Sequence, residues 1–126
     1  MTDFNTALTS FIAGCNRIHD EAMQRHYAGS KIESQTRTDI EVDGGKKFLR
    51  VVRTQVVIKS NATLSGSAHC FVATEDGFNR TLGAWKRGDV FKPASFKVPA
   101  RGTRGNIFDE ANGLARMGEY GPAYNR

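Results

Sequence analysis

From Phe4 onward the apolar residues Phe4, Leu8, Phe11, Cys15, Ile18 and Ala22 recur at alternating spacings of four and three, and Ile12 widens the stripe. That spacing lines one face of an α-helix and predicts a long one from about Asp3 to Tyr27. Thr2 or Asp3 can cap its start by accepting a hydrogen bond from a free backbone N–H, and Gly29 offers the left-handed residue that commonly ends a helix. The spacing also fits a coiled-coil seam, but a seam this short with a Cys and an Ala in it suits the protein's own sheet better.

Beyond the helix the pattern changes to that of strands. "KIESQTRTDIEV" is β-branched with partial alternation, and Asp43-Gly44-Gly45 is a hairpin signal because glycines accept positive φ. "KKFLRVVRTQVVIK" is apolar on both faces and predicts a central strand. Ser60-Asn61 turns the chain into "ATLSGSAHCFVAT", where Gly66 allows a bulge or a close backbone approach. "EDGFNRTLGAWKRGD" has the character of a loop or extended hairpin. "DVFKPASF" is a fourth strand that Pro93 confines to an edge or ends. "KVPARGTRGN" is expected as a structured loop, and "NIFDEANGLARM" as one short helix broken at Gly113. The fold class expected is α+β: one domain over residues 1–126, a long N-terminal helix on an antiparallel sheet of about four strands, and a short C-terminal helix.

Composition alters this picture little. The chain has 126 residues, 39% hydrophobic and 25% charged, as an ordinary globular domain does. Its net charge of +5 favours anionic partners. No stretch approaches a membrane span, and the first residues carry a helical stripe in place of a signal peptide, so a cytoplasmic protein without a membrane partner is expected. Cys15 and Cys70 form no CxxC and are expected as free thiols. A sheet of about four strands under one helix leaves an edge or a face open, which predicts a homo-oligomer.

Candidate chemistry is sparse until the last third of the chain. Cys15 and His19 lie four apart on the helix, but two ligands do not make a zinc site, so no metal and no cofactor are expected. In a strand His69 and Cys70 point to opposite faces, which makes Cys70 core and leaves His69 satisfied, solvated or, as a secondary candidate, in contact with a ligand. Asp20-Glu21 and Glu75-Asp76 are most simply solvated, and no nucleophile or general base stands out, so an enzyme is the weakest class. From Lys86 to Arg104, by contrast, Lys86, Arg87, Lys92, Lys97, Arg101 and Arg104 face only Asp89 in the sequence, with Trp85, Phe91 and Phe96 interleaved. Cations neutralise phosphates and an exposed ring stacks a base. Gly102 and Gly105 let backbone N–H groups approach an anion, Asn106 carries both donor and acceptor for a base edge, and Pro93 and Pro99 stiffen the segment. The bland alternative is a basic surface loop with Phe91 and Phe96 buried.

"GDVFKPASFKVPARGTRGNIFDE", Gly88 to Glu110, resembles a run in small phage-encoded proteins of the form GD(I/V)xKxASxKxPAxGxRGNxFD, and "SAHCFV" and "YGPAYNR" are similar to the same group. Its best characterised members are the first described family of phage anti-Thoeris sponge proteins. They sequester, without cleaving it, the cyclic ADP-ribose isomer that a bacterial TIR-domain enzyme makes as an alarm signal. They are dimers that assemble further, and some hold cyclic oligonucleotides in separate pockets. The resemblance implies a sponge in the cytoplasm of an infected bacterial host, with Phe96 the stacking aromatic and Asn106 a polar contact. It makes Arg101 and Arg104 phosphate or second-site ligands, with Lys97, Lys92 and His69 completing the candidate set. "EDGFNRTLGAWKR" looks like an insertion between two strands that the pattern joins tightly. The alternative function is a phage accessory protein that binds nucleic acid. It needs an extended basic track with several exposed rings. One cluster, beside strands rich in Thr, Ser and Gln, favours a pocket.

Overall fold

A computed structural model of the chain describes residues 3–27, 36–57, 59–60, 62–118 and 121–122. Helix α1 spans Phe4–Tyr27. Asp3 caps it: its Oδ1 accepts from the Thr6 N–H at 2.7 Å, and the bond holds the Asp3 carboxyl below its ordinary pKa. Gly29, the expected stop, lies outside the described residues.

Strands β1 (Thr36–Val42), β2 (Phe48–Val57), β3 (Thr63–Ala73), β6 (Asp89–Pro93) and β7 (Pro99–Asn106) form one antiparallel sheet in the order β1-β2-β3-β6-β7. Two short hairpins sit outside it, β4 (Gly77–Asn79) with β5 (Gly83–Trp85), and β8 (Met117–Gly118) with β9 (Gly121–Pro122). The turn expected at Asp43-Gly44-Gly45 is where β1 meets β2, and both glycines have positive φ.

Two expectations need correction. The main sheet has five strands, not about four, because residues 99–106 pair with β6. Their Pro and Gly content has the character of a loop, and the pairing is indeed irregular, with two register shifts. A strand at the sheet's end needs partners on one side only, so it tolerates both. The short C-terminal helix is absent among the described residues. Asn112 and Gly113 both adopt left-handed backbone, φ 55 and 76, which no right-handed helix accommodates. The Asp109 carboxylate takes the N–H groups a helix would have used. Oδ1 accepts from Ala111 and Gly113, and Oδ2 from Asn106.

The sheet buries both faces by different means. On one, Cys70, Val72, Val90, Val51, Ile40 and Ile107 pack against Ala7, Phe11 and Cys15 of α1. On the other, Phe71, Ala73 and Phe91 lie under Leu82 and Trp85 of the β4–β5 hairpin, with Phe48 against Trp85 and Phe91 at ring separations of 4.9 and 5.5 Å. The segment that resembles an insertion is therefore a roof over a second core. Both thiols are free and buried, and burial pushes the Cys15 pKa up to about 12 and that of Cys70 well above its ordinary value.

Helix α1 also guards the open edge of the sheet. The Asn16 amide donates to Ile40 O at 2.8 Å and to Ile12 O at 3.1 Å, while its Oδ1 accepts from the Ile40 N–H at 3.0 Å. One side chain thus meets an edge residue as the peptide unit of a neighbouring strand would.

Candidate functional site

Residues 92–106, continuous in the sequence, are divided by the β6–β7 hairpin into separate places. Phe91 joins the core under Trp85, Val90 the core under α1, and by alternation Lys92 turns to the helix side. There its Nζ donates to Pro122 O at 3.1 Å. Arg104 is buried, and its Nη1 donates to Gly102 O at 2.7 Å.

Asn106 is engaged within the fold. Its Nδ2 donates to Arg87 O at 2.9 Å and to Asp89 Oδ1 at 3.0 Å, while its Oδ1 accepts from the Phe108 N–H at 2.8 Å. Both amide protons are used, so no donor is left for a base edge. Asn112 continues the same turn, donating to Ile107 O at 2.7 Å and to Ala7 O at 3.1 Å, and so ties it to α1.

His69 departs from simple strand alternation. Val51 pairs with Cys70 and Val52 with Ala68, which makes His69 the extra residue of a β-bulge. It projects to the helix side, as Cys70 does, where Arg53 Nη1 lies 3.1 Å from its Nδ1 and Ser67 Oγ accepts from Arg53 Nη2. The imidazole is fully buried. Burial first, and then the charges of Arg53, His19 and Lys92, lower its pKa to about 3. It is neutral at physiological pH, and its Nε2 has no hydrogen-bond partner among the described residues. The β8–β9 hairpin closes over it: Gly121 has φ 108, and a Cβ there would stand 2.3 Å from His69 O. Gly66, expected to allow a bulge or close approach, pairs regularly with Thr54 and has ordinary room around it.

What remains together is the hairpin tip. Ala94 and Ser95 donate their N–H groups to Val98 O, closing a tight loop with Phe96 at its end. Trp85 and Phe91 are core, whereas Phe96 is 43% exposed. Lys97 beside it is exposed, and Arg101 on β7 is exposed and reaches towards Gly83 of the β4–β5 hairpin. A residue that the linear pattern did not single out completes the group. Arg50 of β2, two residues from Phe48 and so on the same face, places its guanidinium 4.3 Å from the centre of the Phe96 ring. Its available signal was a cation between the apolar residues Leu49 and Val51 of a central strand. Its nearest acid is Asp43, an exposed side chain with Oδ2 4.0 Å from Nη2. Its buried Nε has no hydrogen-bond partner among the described residues.

A second cation–aromatic contact lies at the base of the hairpin, where Arg87 sits 4.9 Å from the Phe4 ring and 5.6 Å from Phe108. Beside it an open cleft of about 320 Å³ runs between Thr6, Ala7 and Ser10 of α1 and the turn at Ile107–Asn112. Among the described residues no three His, Cys, Asp or Glu side chains are grouped to hold a metal, and no helix is long and apolar enough to cross a membrane.

Fold and site together define an α+β domain whose sheet, covered by a helix on one face, presents a cation–aromatic surface on the other. The chain belongs to DUF7717, a family of unknown function, whose profile matches residues 4–121. No curated protein and no solved structure matches it.

Proposed function

We propose that the protein is a non-enzymatic binder that sequesters a cyclic nucleotide, with Phe96 stacking the base and Arg50, Lys97 and Arg101 meeting the phosphates. The species indicated by the sequence resemblance is an isomer of cyclic ADP-ribose, acting as an immune signal in the cytoplasm of an infected bacterial host. Assembly into a homo-oligomer belongs to the same proposal. The observation that carries it is the exposed Phe96 ring under the Arg50 guanidinium, on a hairpin tip with no acid between Lys92 and Asn106. Apolar rings are normally buried, and a ring held out among cations matches a ligand with both a π-face and negative charge.

The test is calorimetric titration of the full chain with a cyclic ADP-ribose isomer, followed by heat release and chromatography of the ligand. The expected result is uptake, intact recovery, and a loss of about tenfold or more in affinity for Phe96→Ala, since stacking contributes roughly 1–3 kcal/mol per base. An altered product would make the protein an enzyme. Binding of a single-stranded oligonucleotide instead, falling steeply with salt, would replace the proposal with a nucleic-acid track.

A further inference from the structure

Arg50 is an unusual cation for this fold. Its side chain is 24% exposed, and its Nε is buried. Among the described residues its side chain has no hydrogen bond, only an ion pair at 4.0 Å to the exposed Asp43 carboxylate. A guanidinium carries five N–H donors and is ordinarily held by directional bonds. Here the close neighbour that orients it is a ring, and a ring offers no direction to a donor. The flat cation therefore occupies the position on Phe96 that a flat base would take, with no hydrogen bond from its donors to the described residues.

Resting on the proposed nucleotide reading, we infer that Arg50 is an internal placeholder and the phosphate-binding residue of the same site. In the free protein its guanidinium covers the stacking face of Phe96. When a nucleotide enters, the base takes that face, and the displaced guanidinium turns its N–H groups to the phosphate. No bond is made or broken. A cation–π contact is exchanged for base stacking together with charge-assisted hydrogen bonds. The arrangement selects for ligands that carry both parts. A nucleoside must displace the cation and gives it nothing in return, whereas a bare phosphate pulls it from the ring and leaves the ring uncovered. The specificity is for a base with a phosphate close enough to reach from one stacking position.

The experiment measures binding of adenosine, adenosine 5′-monophosphate and cyclic ADP-ribose to the full chain, for wild type, Arg50→Ala and Arg50→Gln. The two ligand classes should move in opposite directions. Removing the guanidinium should weaken both phosphorylated ligands about ten- to a hundredfold. It should strengthen adenosine binding about two- to fivefold, because the stacking face is vacated. Arg50→Gln, which keeps a polar, partly extended side chain without the charge, guards against a variant that fails to fold, and a thermal melt of each protein confirms it. If both classes weaken together, Arg50 is a fixed slab beneath a sandwich and the placeholder idea is wrong. If wild type binds the nucleotides and neither Arg50 variant alters them, Arg50 is not a ligand contact. If wild type binds none of the three, the nucleotide reading falls and this inference with it.

Discussion

The two faces of the sheet treat their long polar side chains differently. On the helix side these are tied into the fold, Asn16 at Ile40, Asn112 at Ala7 and Ile107, Arg53 at His69 and Ser67, and Lys92 at Pro122. His69 Nε2 and Asn112 Oδ1 keep no hydrogen-bond partner among the described residues. On the hairpin side Arg50 lies against the exposed Phe96 ring and has no directional bond among the described residues, and Lys97 and Arg101 are exposed. The cause is the size of the cover. A helix of 24 residues covers that face and excludes water, so most polar side chains beneath it are drawn into hydrogen bonds. Two three-residue strands roof only the Phe48–Phe71–Phe91 cluster and leave the neighbouring surface wet. Density of charge in the sequence is thus a poor guide to which cations the fold leaves on its surface, since Lys92 and Arg104 are held inside it.

The largest expected effect attacks the engaged side. Asp109→Ala removes the acceptor of the Asn106, Ala111 and Gly113 N–H groups. The first two bonds are exposed and water replaces them in part, so at about 0.5–1.5 kcal/mol for each bond the loss should be about 2 kcal/mol. Urea unfolding measures it. A change under 1 kcal/mol would mean that water replaces the carboxylate and the turn is not a closed network.

Acid should act on the same side with a similar reach. In the unfolded chain an imidazole takes up a proton below about pH 6.5, whereas in the fold His69 resists it down to about 3. Between those limits unfolding binds a proton. His69 therefore costs no stability above pH 6.5, and stability falls by about 1.4 kcal/mol per pH unit as the pH drops below it. The groups facing His69, namely Arg53, His19 and Lys92, are all basic, so none offsets the incoming charge. His69→Met should flatten the acid limb of a stability–pH curve, and an unchanged limb would show that His69 is not what senses it.

The uncovered side should behave as its reverse. Phe96→Ala should cost the fold about 0.5 kcal/mol or less, as substitutions outside the core usually do, while weakening ligand binding. A melting temperature lowered by more than a few degrees would make Phe96 a core residue and erase the contrast between the faces. Smallest of all, Arg101→Ala should leave the melt unchanged within error and show its effect only in ligand affinity, about ten- to a hundredfold if the arginine grips a desolvated phosphate. Equal affinity with and without Arg101 would narrow the site to Arg50, Phe96 and Lys97.

The helix and the first three strands were legible because their signals are periodic: the stripe from Phe4 to Ala22 and the glycine turn after Asp43 needed no tertiary context. Strand β7 was not, because Pro99, Gly102 and Gly105 oppose strand propensity and only pairing with β6 overrides them. The candidate site was half legible. Phe96 and Lys97 were found by composition and share the exposed tip, while Arg101 lies further along β7, towards Gly83. Lys92 and Asn106 are close to them along the chain, but alternation and the Asp109 turn carry both elsewhere. The direction of His69 turned on one inserted residue, which no periodicity reports. Arg50 is 46 positions from Phe96, and only the pairing of strands brings the two together.

The Asn16 contact bears on concentration. A protein that neutralised a signal by holding it one for one, as proposed, would have to accumulate to at least the signal's own level, and crowded sheets with bare edges join into fibres. An amide that imitates a peptide unit closes β1 at Ile40 against such growth, at a cost of one side chain. Growth through β1 at Ile40 would have to displace that amide first, and Asn16→Leu would lay the edge bare there and turn abundance itself into the hazard.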